Sequence, residues 1–410
     1  MEVTYVKIEK YLKNIGPGAI ITAAFIGPGT VTTCIKSGYE TGYSLLGVMV
    51  FAIIVAIFIQ IFAAKVGIIT QMGISKNIRE NTHSVIGRMF SIFLITMAIF
   101  IGNSAFEAGN ITGAVIGLTG IVGNSYIIVK VMVISVIVFI LLWNGKYEKI
   151  EFILEMAVVL MALCFIIAAI LIKPDIGHMM KEMLSIKLFH SDTMMTGALI
   201  GTTIGPYSIL LHSEIAAECW HSPSDFKYMI FDTVMSIGVG GIISCCIMIV
   251  AATTAKELQI TELTINNFAL ALSTPIGRGG QLIFYIGLIA AGVTSAITAP
   301  LAAAYIITGI CFSEKIDKRC GKFKMVWCFV LCIGAVISMI WGNSPAEIIL
   351  VVQLANAIIL PLIMIFLYKC LNNKKMKQHK NSTLANIVLI VLIVVCFFLS
   401  FRDIYQIMLS

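Results

Sequence analysis

Long apolar runs alternate along the chain with short polar connections, and the runs are close to the length a helix needs to cross a bilayer. A membrane-spanning helix takes about 20 predominantly apolar residues. On that criterion eleven spans are predicted, at 15–36, 43–69, 89–118, 125–143, 152–172, 193–218, 229–254, 281–311, 323–340, 347–368 and 383–401. The first follows Lys7, Lys10 and Lys13 in the manner of a signal peptide. Pro17 and Pro28 interrupt it, however, and ten more runs follow, so it reads as a retained helix. The predicted class is an all-α integral membrane protein.

Two of the runs are interrupted in the same way. The first contains Ile26-Gly27-Pro28-Gly29-Thr30 and the sixth Ile204-Gly205-Pro206-Tyr207-Ser208, both of the form Ile-Gly-Pro-x-hydroxyl and both near mid-span. Proline and glycine there free backbone groups that lipid cannot satisfy, so such breaks are tolerated where they line a cavity. Matching breaks in two halves of a chain point to a transporter site at the membrane midplane. Spans one to five and six to ten then form two five-helix repeats, residues 15–172 and 193–368, with 383–401 as an added helix of one transmembrane domain covering 1–410. The odd number of spans per repeat inverts the second relative to the first. Two ordinary proline kinks are the plainer alternative.

Composition agrees with this pattern and removes other classes. Of 410 residues, 59% are hydrophobic and only 12% charged, with a mean hydropathy of +0.99. A soluble domain is nearer 45–50% apolar and about 25% charged. A soluble enzyme, a nucleic-acid-binding factor and a disordered chain are therefore excluded, and the bilayer is the first partner. The net charge of +7 is unevenly placed. With the N-terminus inside, 20 lysines and arginines fall in cytoplasmic segments and 7 on the other side, Lys130 lying at a helix end. The positive-inside rule thus sets an N-in orientation, with the C-terminus outside. A cytoplasmic-membrane location follows from helical rather than barrel spans. The eleven cysteines lie mostly inside apolar runs without metal-ligand spacing and read as small buried hydrophobes.

Each break ends one half-helix and starts another, presenting carbonyls on one side and free N–H groups on the other. Gly27, Gly29 and Gly205 allow a ligand close to the backbone, and Thr30 and Ser208 add hydroxyls. Neither motif contains Asp, Glu, Cys, Met or His, so no metal-ligating side chain is predicted there. N–H groups and hydroxyls favour an anion or a small polar solute; a hard cation held by carbonyls and water stays open.

The run from Gly16 to Thr70 resembles the Nramp divalent-metal transporters. Gly16-Pro17-Gly18, the break at Gly27–Thr30, Gly42-Tyr43-Ser44-Leu45-Leu46, and Gln60 followed by Ala63-Ala64-Lys65-Val66-Gly67-Ile68-Ile69-Thr70 fall in that family's order and spacing. In the sixth span, Gly205 to Ser213 is similar to the family's Met-Pro-His-Asn-Leu-Tyr-Leu-His-Ser, and Gln353 to Pro361 resembles a segment whose glutamine approaches the metal. The resemblance implies a LeuT-type 5+5 inverted-repeat fold, helices 1 and 6 broken, and alternating access. It also exposes departures. Gly27 and Thr30 stand where the family has Asp and Asn, Gly205 stands for its metal-binding methionine, and Tyr207 for its histidine. Loss of the sulfur predicts loss of any preference for softer transition metals. Gln353 remains, but one amide alone does not hold manganese or iron.

Ionisable groups at membrane depth are expensive and suggest function. Glu107 matches one position of the family's acidic pair, with Asn110 at the other, and is a candidate proton carrier; a glutamate that merely packs is the alternative. His212, one turn beyond Ser208, is a candidate relay or an interhelical packing residue. Tyr207 either lines the substrate pocket or fills space. Glu214 and Glu218 suggest a gate or salt bridge, Glu155 and Asp232 solvated helix ends, and Asn103 and Asn110 interhelical hydrogen bonds.

Substrate-binding candidates are therefore Gly27, Gly29, Thr30, Gly205, Tyr207, Ser208 and Gln353, with Glu107 and His212 for coupling. The favoured reading is a secondary transporter of a small anion or polar solute of the bicarbonate or small-carboxylate class. The alternative is a divalent-cation transporter of the Mg²⁺ or Mn²⁺ class. A sensor on a transporter fold is a third possibility, disfavoured because no appended soluble domain is present. No nucleophile–base pair, cofactor motif or Walker A sequence appears, so neither an enzyme nor a cofactor is expected.

Overall fold

The computed structural model describes residues 27–82, 84–145, 148–184, 193–258, 265–311, 320–341 and 345–409. Their regular secondary structure is entirely helical, with no strand among the described residues. In chain order the helices are α1 (Pro28–Thr41), α2 (Leu46–Thr70), α3 (Ile74–Asn81), α4 (Val85–Val122), α5 (Ile127–Asn144), α6 (Glu148–Leu171), α7 (Ile176–Leu184), α8 (Thr193–Thr203) and α9 (Pro206–Cys219). They continue as α10 (Phe226–Leu258), α11 (Ile265–Ile276), α12 (Arg278–Cys311), α13 (Gly321–Ile340), α14 (Pro345–Leu371) and α15 (Thr383–Leu409).

Ten helices among the described residues, with α8 and α9 taken together, are long and apolar enough to cross a membrane. They coincide within a few residues with the second to eleventh predicted spans. Residues 15–26 of the first span lie outside the described residues, and its remainder is α1. Three short helices were not anticipated: α3, α7 and α11 lie in the connections, where periodicity over eight to twelve residues is a weak signal beside twenty-residue runs.

The outer surface is apolar, as lipid requires. Ile128, Val129, Val136, Ile137 and Ile140 of α5 and Phe152, Ile153, Leu160, Leu163 and Ile167 of α6 are all exposed. The interior instead packs through small residues. Along α4, Gly117 lies against the Tyr285 carbonyl of α12, and Gly292 of α12 lies against Ala114 and the Asn110 carbonyl of α4. A Cβ at Gly117 would sit 2.6 Å from that carbonyl oxygen, so the glycine is what lets the two backbones meet. Between membrane helices no hydrophobic driving force operates, and close packing plus hydrogen bonds supply the adhesion. Asn103 adds one such bond, donating from Nδ2 to the Ala299 carbonyl at 3.0 Å.

Short helix α3 is capped from elsewhere in the chain. Its N-cap Gly73 supplies no side chain; the Ile74 N–H donates to Ser213 Oγ of α9 at 2.9 Å. The Glu214 carboxylate occupies the space a side chain on Gly73 would take, a favourable place for an acid. Glu214 thus brings α9 against the start of α3. Asp232 departs from expectation: it is 1% exposed inside α10, not a solvated helix end. The chain ahead of it, Pro223–Asp225, forms a 3₁₀ turn leading straight into α10, so Asp232 sits two turns inside the helix.

Candidate substrate site

The two Ile-Gly-Pro motifs form equivalent helix starts. Gly27 (φ −73°, ψ 169°) is the N-cap of α1, with Pro28 opening the helix. Gly205 (φ −69°, ψ 124°) is the N-cap of α9, with Pro206 in the same place. Proline suits this position because its missing N–H would be unpaired there in any case. Neither cap contributes a side-chain hydrogen bond. The second break is complete: α8 ends at Thr203 and α9 begins at Pro206, leaving Ile204 and Gly205 outside both helices.

Three groups of side chains surround the breaks. In the first, Thr30 Oγ1 of α1 and Thr202 Oγ1 of α8 lie 2.8 Å apart. The side-chain amide nitrogen of Gln353 rests on the α-carbon face of Gly29, where a Cβ would collide with it. Gln353 Oε1 accepts from Asn356 Nδ2 at 3.3 Å, while the Gln353 carbonyl presses on Gly201 of α8. Helices α1, α8 and α14 therefore converge on a cluster of hydroxyls and amides.

The second group follows the other break. Ser208 Oγ donates to the Gly205 carbonyl at 2.7 Å and accepts from Gln60 Nε2 of α2 at 2.9 Å. Gln60 Oε1 then lies 3.0 Å from His212 Nδ1. Because that oxygen can only accept, Nδ1 carries the proton and donates. The lone pair on Nε2 is left without a partner inside a fully buried ring. Gly205 is only partly buried, so this break borders open space.

The third group brings α4 alongside. Phe106 packs on Tyr207 with ring centroids 5.0 Å apart, and Gly113 receives the Pro28 ring. Glu107, fully buried, turns to another flank of the same helix. Its Oε2 accepts from Asn110 Nδ2 at 3.3 Å, its Oε1 has no partner, and Gly334 of α13 closes over its aliphatic stem. Glu107 is thus one residue from the aromatic wall of the site, with its stem held against α13.

Of the nine binding and coupling candidates, eight fall in these groups, and the ninth, Gly27, is the N-cap of α1. Gly29, Thr30 and Gln353 meet; so do Gly205, Ser208 and His212; Tyr207 and Glu107 are linked through Phe106. Four contributors were missed. Thr202 stands one turn before the second break, Asn356 buttresses Gln353, and Gln60 is the lone amide in the apolar run 46–69. Met49 of α2 is the fourth: its Sδ accepts from Thr203 Oγ1 at 3.5 Å, bringing a thioether beside the end of α8. A lone amide in an apolar run, at a position that also fits the family's order and spacing, is the signal for Gln60; nothing local marks Thr202 or Met49.

Chemically the site offers neutral oxygens and amides. No group of three or more His, Cys, Asp or Glu able to hold a metal ion occurs among the described residues. No lysine or arginine takes part in any of the three groups, and the ionisable members are Glu107 and His212.

The family model described as natural resistance-associated macrophage protein-like (Nramp) matches residues 18–406. The metal transporter Nramp5 of Oryza sativa subsp. japonica is 25% identical over 397 residues, covering 91% of this chain and 72% of its own. The divalent metal cation transporter MntH of Pectobacterium carotovorum is 26% identical over 307 residues, 73% of this chain and 72% of its own. The crystal structure of a manganese transporter from Eremococcus coleocola superposes with a TM-score of 0.77 at 18% identity, covering 97% of this chain and 87% of that one. MHP1, a nucleobase-cation-symport-1 family transporter, shares the fold more distantly, with a TM-score of 0.58 at 12% identity. The fold is the LeuT-type transporter fold, and the chain belongs to the Nramp family of membrane transporters.

Proposed function

We propose that this protein is a secondary transporter of a hard divalent cation, of the Mg²⁺ or Mn²⁺ class, carried with much of its hydration shell. The observation that carries the reading is the site's chemistry: Thr30, Thr202, Ser208 and Gln353 offer neutral oxygens, and no cationic side chain joins the three groups. Neutral oxygens suit a cation that keeps several waters, as Mg²⁺ does. Relatives are named as metal transporters. In this reading Gly27 and Gly205 mark lost carboxylate and thioether ligands, which weakens discrimination in favour of softer metals. Glu107 and His212, each with an unpartnered buried atom, are the proton-coupling groups. The N-terminus is cytoplasmic, and the protein lies in the cytoplasmic membrane. The two repeats rock against each other about the breaks.

A second reading, transport of bicarbonate or a small carboxylate, is favoured by one observation. Both half-helix N-termini lack a side-chain cap, and such ends attract anions. The membership in Nramp and the missing cationic partner reverse the order in which the sequence alone ranks these substrates. Flux into proteoliposomes separates them. The proposal predicts Mg²⁺ or Mn²⁺ uptake that competes with other divalent ions and ignores bicarbonate. Bicarbonate or formate flux without divalent flux would transfer the site to the second reading.

A further inference from the structure

The basic end of the molecule holds a cavity that the transport site does not use. It has a volume of about 400 Å³ and opens between α3, α4 and α14. Asn81 and Thr82 from the end of α3, Lys369 and Asn373 from the end of α14, and Ser91 and Phe90 from α4 contribute to its wall. No carboxylate lines it. The nearby acid on α3, Glu80, is engaged by Lys375 at 2.6 Å and so does not neutralise the cavity.

Its polar lining has capacity to spare. Lys369 is exposed, with its ammonium 5.8 Å from the centroid of the Phe366 ring and no ion-pair partner among the described residues. Asn373 accepts through Oδ1 from the Lys375 N–H, which leaves its amide hydrogens available. Ser91 likewise has no hydrogen bond among the described residues. One cation flanked by a hydroxyl and an amide is the chemistry that receives a phosphate monoanion.

The other wall says where that phosphate comes from. Around Phe90, the first turns of α4 expose Val85, Ile86, Met89 and Phe93, each more than half accessible. These side chains face outward on a helix long and apolar enough to cross the membrane. The cavity therefore has a mixed lining, with polar groups and the Lys369 ammonium beside Ile78, Phe366 and Phe90, and an apolar rim continuous with the lipid-facing surface. Basic pockets between membrane helices at such a boundary bind anionic headgroups. We infer that this cavity is a binding site for an anionic phospholipid, whose headgroup phosphate meets Lys369, Ser91 and Asn373 while its acyl chains lie along the start of α4.

The test uses the purified full chain in detergent and measures binding of dioctanoyl-phosphatidylglycerol, dioctanoyl-phosphatidylcholine and glycerol phosphate by native mass spectrometry. Phosphatidylglycerol binds, phosphatidylcholine binds at least tenfold more weakly, and glycerol phosphate does not bind at the same concentration. Lys369→Glu lowers phosphatidylglycerol affinity at least tenfold, and Ser91→Phe, which fills the cavity, does the same without moving the melting temperature by more than a few degrees. Lys377→Glu, at an exposed position outside the lining, leaves affinity within about twofold. Equal binding of the two lipids, or equal losses in Lys369→Glu and Lys377→Glu, would overturn the site. Glycerol phosphate binding as tightly as the lipid would overturn the assignment to lipid.

Discussion

The hydroxyls of Thr30 and Thr202, separated by 172 positions in the chain, lie 2.8 Å apart and join the helix after the first break to the helix before the second. This bond holds two of the half-helices in register around the site. Each hydroxyl is the other's side-chain partner in a buried position.

Thr30→Val is therefore expected to leave Thr202 Oγ1 buried and unsatisfied, at a cost of about 1–3 kcal/mol. Thr202→Val should cost a similar amount. The double variant should cost clearly less than the sum, since it removes both polar atoms together. Melting temperatures of the four proteins in one detergent close this cycle; additive losses would mean that the hydroxyls do not pair.

The Gln60 amide bridges Ser208 and His212. Gln60→Leu keeps the side chain's bulk but strands the His212 Nδ1–H inside the protein. The expected outcome is a loss of about 1–3 kcal/mol of stability and at least a tenfold fall in uptake. Wild-type uptake in that variant would show that the bridge has no part in the transport cycle.

Glu107→Gln separates proton carriage from packing. The amide fills the same space beneath Gly334, so the melting temperature should change by only a few degrees. Uptake driven by an inward proton gradient should fall to the level seen without the gradient. Gly334→Ala makes the complementary change. Its Cβ would fall 2.6 Å from Glu107 Cγ, and overpacking of this kind costs about 1–3 kcal/mol. A stable Gly334→Ala protein would contradict the tight closure of α13 over Glu107.

Selectivity should respond to restored ligands. A Cβ on Gly205 would meet Ser208 and Tyr207 at ordinary contact distances of 3.5 Å and more, and its φ of −69° suits any residue. Gly205→Met is thus expected to fold and, by adding a thioether, to raise preference for Mn²⁺ or Cd²⁺ over Mg²⁺. Gly27→Asp places a carboxylate at a helix N-cap, where Asp is at least as favourable as Gly. It should tighten divalent binding generally. Competition assays on both variants check the two shifts.

Much of this architecture was legible from residues alone, because crossing a bilayer imposes twenty-residue apolar runs that leave little ambiguity. The ten spans from 43–69 onward agree with the helices to within a few residues, and the paired Gly-Pro motifs coincide with the starts of α1 and α9. What was hidden depends on contacts between distant segments. Thr202 became part of the site only through Thr30, Asn356 only through Gln353, and Met49 only through Thr203. Short helices such as α3 escaped because the groups at their starts, here Ser213 and Glu214, come from another element. Asp232 differs from expectation because the helix begins at Phe226, ahead of the predicted 229, and carries the residue inward from the end. The choice of substrate sign was ambiguous for a physical reason: broken helices present carbonyls and N–H groups together, and only the side chains around them tip the balance.

The most direct measurement is the melting temperature of the purified protein titrated with MgCl₂, MnCl₂ and sodium bicarbonate at constant pH and ionic strength, in wild type and in the Thr30→Val/Gln353→Leu double variant. A ligand that binds only the folded state stabilises it by about 2.7 kcal/mol at one hundred times its Kd. A dose-dependent rise with the divalent cations that is lost in the double variant is the predicted result. Stabilisation of the wild type by bicarbonate alone would contradict the assignment of a cation to this site.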